Sequence, residues 1–200
     1  MATYPKSKLV DLLHQSPLPV FNLSSLQAIF GTTSRISLSV IIKSLVSQSV
    51  LTMITPGLYH LTAKPPDQFT IANFLVEPSY ISFESALSYH GILSQFPYLI
   101  TSATTLKPQV KKLHHTYQYY HLQPNLFFGY SHTNNYLLAN PEKALLDQLY
   151  LATKKYRLID WDEYDLESIN PKILTEYLNQ YQKVKGYQTI IKQLKDNQLC

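Results

Sequence analysis

The sequence predicts an α+β chain of two domains, and three observations predict it. Helix signals near residues 7–15, 22–30 and 34–47 are followed by two short apolar runs around a Pro-Gly turn. A Pro-Pro segment then interrupts the chain at residues 63–67. Beyond it, β-branched and Tyr-rich runs alternate with Asn-Pro helix starts. A length of 200 residues suits one domain or two modest ones.

The elements follow in order. Leu9, Leu12 and Leu13 stand at helical spacing until Pro17 and Pro19 stop the first helix. Asn22 is an N-cap for a second helix carrying Leu23, Leu26, Ile29 and Phe30, and Gly31 lies just past its end. On the third helix, Leu38, Ile41, Ile42, Leu45 and Val46 share one side. Thr33, Ile36, Ser37, Val40, Lys43, Ser44 and Ser47 face the other way, with Arg35 at the edge of the buried arc. Residues 50–54 and 58–61 flank Thr55-Pro56-Gly57 as a β-hairpin. Helix, helix, turn, helix, hairpin is the order of a winged helix-turn-helix, expected over residues 1–64.

Charge agrees with a polyanionic partner. Residues 1–64 hold Lys6, Lys8, Arg35, Lys43 and Lys64 against Asp11, so the whole net charge of +4 sits there. The expected partner is double-stranded DNA. Thr33, Arg35, Ser37, Lys43 and Ser44 would bond phosphates or base edges, and Ile36 and Val40 would meet thymine methyls or pack on protein. Lys6, Lys8 and Thr55 of the wing would add phosphate contacts.

The second domain is expected over residues 65–200. Ser82 can cap a helix that turns Phe83, Ala86, Leu87 and His90 inward and closes at Gly91. Residues 98–105, 117–122, 126–130 and 136–139 read as strands. Asn140-Pro141-Glu142 starts a helix burying Ala144, Leu145, Leu149 and Leu151. Asn170-Pro171 starts another with Leu174, Leu178 and Tyr181, and a last helix runs over about 187–194.

Enzyme signals are sparse. The five glycines are scattered singly, so phosphate-cradling loops are not expected. His114, His115 and His121 stand beside Lys111 and Lys112 without an acid, which reads as surface or strand histidine rather than a metal site. Asp160, Asp162, Asp165 and Glu167 lack the glycine a calcium loop needs for its tight turn. The lone Cys200 excludes an intrachain disulfide. No apolar run approaches the length of a membrane span, and the first residues lack the apolar stretch of a secretory signal, so a cytoplasmic protein is expected.

Four blocks of the second domain carry a resemblance. They are Tyr80-Ile-Ser-Phe-Glu-Ser-Ala-Leu-Ser-Tyr-His-Gly91, Ile100-Thr-Ser-Ala-Thr-Thr-Leu-Lys107, Phe128-Gly-Tyr130 and Ala139-Asn-Pro-Glu-Lys-Ala-Leu-Leu-Asp147-x-x-Tyr150. In order and spacing they resemble the AbiEi antitoxins of type IV toxin–antitoxin, abortive-infection systems, from the wing to about residue 153. The resemblance implies a repressor that binds inverted repeats in its own promoter and counteracts a nucleotidyltransferase-like toxin, with no cofactor and no catalysis of its own. It points to Tyr80, Ser82, Glu84, Ser85, His90, Ser102, Thr104, Lys107, Glu142, Lys143 and Asp147 for antitoxicity. The bland reading of Ser82 and Glu84 is a helix start, of Ser102 and Thr104 one face of a strand, and of Asp147 an exposed or salt-bridged helix residue. Two other functions stay open: a one-component regulator whose Tyr-rich strands line a ligand pocket, and a metal-dependent hydrolase using Glu84, Glu142 or Asp147.

Overall fold

A computed structural model describes residues 6–95, 97–156 and 158–199. The chain is mixed α+β and divides into two compact units, Met1–Ile71 and Ala72–Cys200.

In the first unit, α1 (Lys6–Gln15), β1 (Phe21–Asn22), α2 (Leu23–Phe30) and α3 (Arg35–Ser47) precede β2 (Leu51–Thr55) and β3 (Leu58–Leu61). The Asn22 side chain caps α2 by accepting from the Ser25 amide at 2.8 Å, and Gly31 ends it at φ +61°. Ser34 caps α3 through Ser37 N–H at 3.3 Å. The three strands form an antiparallel sheet in the order β1-β3-β2. Leu9, Leu13, Phe21, Leu26, Phe30, Leu38, Ile42, Leu45, Leu51 and Leu61 make one core. Val46, expected inside, is 37 % accessible, while Ile41 packs against the core half-buried.

The helix α4 (Gln68–Leu75) crosses the boundary between the units, a few residues past the expected division at 64/65. The second unit then holds β4 (Ser79–Ile81), α5 (Phe83–Tyr89), β5 (Leu99–Thr104), β6 (Gln109–Lys112), β7 (Thr116–His121), β8 (Tyr130–Thr133), β9 (Tyr136–Ala139), α6 (Pro141–Thr153), α7 (Pro171–Leu178) and α8 (Tyr187–Asp196). Its six strands run β6-β7-β5-β4-β9-β8, parallel at β5/β7 and β4/β9 and antiparallel elsewhere.

The expected strand at 126–130 is a correction. Pro124–Leu126 is a 3-10 turn, Gly129 sits at φ +69°, and the strand begins only at Tyr130. The helix α6 packs on α5 and β9 and is covered by α7 and α8, so every residue from Glu142 to Leu151 is buried. The helices α7 and α8 thus roof α6.

Among the described residues no single helix is long and apolar enough to cross a membrane.

Candidate functional site

Two regions gather the residues singled out in the sequence, one in each unit. In the first unit the outward side of α3 is open to solvent. Ile36 is 80 % and Val40 63 % accessible, and Thr33, Arg35 and Lys43 are exposed as well. Ser37 and Ser44 are half-buried: the Ser37 amide serves the Ser34 cap, and Ser44 Oγ accepts from Gln48 Nε2 at 3.0 Å. Thr55 ends β2 half-buried beside a bulge in its pairing with β3. Lys8 is exposed on α1; the side chain of Lys6 lies outside the described residues.

Arg35, Ser39 and Lys43 follow one another at four-residue spacing and so form a stripe. The stripe borders a cleft of about 550 Å³ whose other walls include Ser24 and Gln27 of α2 and Gly57 of the hairpin turn. Among the described residues no carboxylate lines it. Ser24, Gln27 and Ser39 are additions to the expected set. Ser39 had a signal, its place midway between the two cations. Ser24 and Gln27 read from sequence as nothing more than helix surface.

In the second unit the polar side chains go inward. Lys143 and Asp147 are both at 0 % accessibility, one turn apart on α6, and form an ion pair. Asp147 Oδ2 accepts from Tyr80 Oη at 2.9 Å and from Ser82 Oγ at 2.7 Å. Its Oδ1 accepts from Tyr181 Oη at 2.7 Å, and Lys143 Nζ also donates to Tyr181 Oη at 2.9 Å. The ammonium lies 5.0 Å from the Phe128 ring centroid and 5.5 Å from those of Tyr80 and Tyr181. A buried charge is tolerated only when paired and hydrogen-bonded, and this one is enclosed by an anion, a phenol oxygen and ring faces. Burial pulls the Lys143 ammonium below its ordinary value of 10.5, with Asp147 pulling the other way. Burial first, and then Asp147, raises the Tyr80 and Tyr181 phenols well above 10.0, so both stay protonated donors.

A strand-to-helix elbow brings Ser82 into this network. Ser82 occupies the N-cap position of α5, but its hydroxyl goes to Asp147 instead of capping a backbone amide. Thr101 takes over: its Oγ1 accepts from Ser85 N–H at 3.1 Å and donates to Ser82 O at 2.8 Å. Phe83, buried at φ +57°, holds the turn in a conformation that costs a bulky residue about 1–3 kcal/mol. Gly129 approaches the stem of Lys143 so closely that a Cβ there would stand 3.0 Å from Lys143 Cγ.

No protein-family model matches the chain, and no curated protein matches it in sequence. The residues themselves therefore carry any functional reading.

Placed one by one, the remaining expected antitoxicity residues separate into different environments. Glu142 is buried and accepts from Asn170 N–H at 2.8 Å, tying down the start of α7 rather than only facing its own helix dipole. Glu84 accepts from Gln148 Nε2 at 3.2 Å. His90 Nε2 donates to Ala139 O at 2.8 Å. Ser85 Oγ accepts from Thr101 N–H at 2.8 Å, and Thr104 Oγ1 donates to Pro78 O at 2.7 Å. Ser102 Oγ is buried without a hydrogen-bond partner among the described residues. Lys107 is exposed, away from the network. The bland reading of Asp147 as a salt-bridged residue holds in part: it is paired, and it is wholly buried. Glu84, Glu142 and Asp147, the three carboxylates of the hydrolase alternative, each accept from different groups. Among the described residues no group of three His, Cys, Asp or Glu side chains is placed to hold a metal ion.

Tyr181 is the network member that sequence reasoning took for plain core. Its apolar-periodic position gives no sign of a polar role.

Proposed function

We propose that the chain is a cytoplasmic antitoxin of the AbiEi type, not an enzyme, which represses its own operon and counteracts a nucleotidyltransferase-like toxin. In this reading the first unit is a winged helix-turn-helix, α3 is its recognition helix and β2–β3 its wing. The observation that carries it is the outward side of α3. Thr33, Arg35, Ile36, Val40 and Lys43 are all exposed on a unit whose cations outnumber its acids five to one up to residue 64. Short polar side chains, two cations and methyl-bearing residues are what a major-groove surface needs.

The antitoxin half is supported by how the family-like blocks meet. Tyr80 and Ser82 of the first, Phe128, Gly129 and Tyr130 of the third, and Lys143 and Asp147 of the fourth gather around one ion pair, and the Tyr80 and Tyr130 rings stack at 4.5 Å. Thr101 of the second block fixes the elbow that supplies Ser82. Most of these side chains are buried, so their contribution to antitoxicity is to fix the shape of the unit, while the partner meets other surfaces.

The test is binding of the protein to DNA from upstream of its own gene, followed by fluorescence anisotropy across a salt series. Tight binding with a steep salt dependence is expected. The double variant Arg35→Ala/Lys43→Ala should lose at least tenfold in affinity and flatten the slope by about 2. It should still rescue growth when co-expressed with the neighbouring toxin gene. Unchanged operator affinity in that variant would sink the recognition-helix assignment, and failure of the wild type to rescue growth would sink the antitoxin half.

A further inference from the structure

The face of the second sheet that carries α5 and α6 is not covered to its edge. Beyond the end of α6 it opens into a cleft of about 390 Å³, a size that fits a small ligand. Gln118 and Tyr120, two apart on β7, point to the same face and form one wall. The other wall comes from the way α6 stops. Lys155 turns the chain at φ +62°, and Tyr156 N–H reaches back to Leu151 O at 3.2 Å. That closure sets the Tyr156 ring across from Tyr120, with centroids 6.2 Å apart, over a floor of buried Leu151. Lys154 stands at the rim with its ammonium 4.1 Å from the Tyr150 ring centroid, and His121 lines the cleft with Nδ1 bonded to Leu106 O at 3.0 Å.

We propose that this cleft binds a nucleoside phosphate. The two phenol rings are tilted 54° to one another, and a flat aromatic ring can stack against the open face of Tyr156, as bases do on aromatic platforms in proteins that hold unpaired bases. Gln118 offers both a donor and an acceptor to the edge of such a ring. Among the described residues that line the cleft, Lys154 brings a cation and none is a carboxylate, so the charged end of the ligand is anionic. Tyr156 is 61 % accessible, so much of its side chain is open to a guest. The site is independent of the DNA-binding and antitoxin assignments and survives the failure of either. A free nucleotide and the end of a single strand share this chemistry.

Titration of the full-length protein by calorimetry, with AMP, adenosine, inorganic phosphate and a short single-stranded oligonucleotide, tests it. Saturable binding of AMP is expected, at least tenfold tighter than either adenosine or phosphate. Tyr156→Ala changes an exposed side chain and keeps the fold. It should weaken AMP at least fivefold, and Lys154→Ala should weaken AMP while leaving adenosine unaffected. Oligonucleotide binding tighter than AMP and equally sensitive to Tyr156→Ala would assign the source as a strand; weaker binding would assign it as the free nucleotide. Absence of saturable AMP and oligonucleotide binding, or binding indifferent to both substitutions, overturns the proposal.

Discussion

Lys143 and Asp147 are charged residues with no solvent, and each is tolerable only because the other is present. Asp147 also accepts from three hydroxyls, so its carboxylate satisfies four donors at once. Replacing it exposes the asymmetry of buried pairs: the pair itself adds little, while one orphaned member is expensive. Asp147→Asn should lower the unfolding free energy by about 3–5 kcal/mol, because the Lys143 ammonium loses its counter-charge. Adding Lys143→Met to that variant should recover part of the loss. Urea denaturation of wild type, the two singles and the double reads the coupling directly. If the second substitution destabilised the first variant further, the ion pair would not be the centre of the unit. The sequence could show the four-residue spacing of Lys143 and Asp147 but not its depth. The same spacing serves an exposed pair, and only the roof of α7 and α8 decides between the two.

At the scale of elements, the parts with chemical punctuation were legible. Asn22 and Gly31 bracket α2, Ser34 starts α3, and Pro141 and Pro171 start α6 and α7, each through a local backbone effect that needs no tertiary context. The edge strand β6, Gln-Val-Lys-Lys, gave no pattern because an edge needs neither alternation nor β-branching, and cations there discourage further pairing. The apolar run Leu126-Phe127-Phe128 read as a strand, yet its rings serve other ends: Phe127 packs on Tyr80 at 4.9 Å and Phe128 on Tyr177 at 5.2 Å. Gly129 is what makes that segment work, since it takes a left-handed turn and admits the Lys143 stem. Gly129→Ala should therefore destabilise the second unit by more than Gly91→Ala. Both glycines have positive φ, +69° and +76°, but a Cβ at Gly91 meets nothing within 4 Å. The backbone term costs about 1–2 kcal/mol at either site, and only Gly129 adds the collision. Equal thermal shifts for the two variants would show that Lys143 yields without cost.

For the molecule as a whole, the uneven distribution of buried phenols predicts how stability depends on pH. Tyr80, Tyr117, Tyr119 and Tyr181 are buried, and all four lie in Ala72–Cys200. Burial pushes the Tyr117 phenol up to about 12, and Tyr119 rises too, with Tyr117 as a second cause. A group whose folded pKa is raised binds its proton more tightly in the native state. Its contribution is fully present below the unfolded value of 10.0 and is lost as pH rises toward the folded value. Lys143 has the opposite sign, because its folded pKa is lowered and the unfolded chain holds that proton more tightly. The Lys143 contribution thus rises with pH, but only up to the ordinary lysine value of 10.5. Above that point Lys143 no longer offsets the loss from the buried tyrosines. The second unit should lose stability steadily between pH 10.5 and about 12, with tyrosinate absorbance appearing in step with loss of its circular dichroism. If the four tyrosines ionised while the fold stayed intact, their hydroxyls would have to be reachable by water, and the closed network around Asp147 would be wrong.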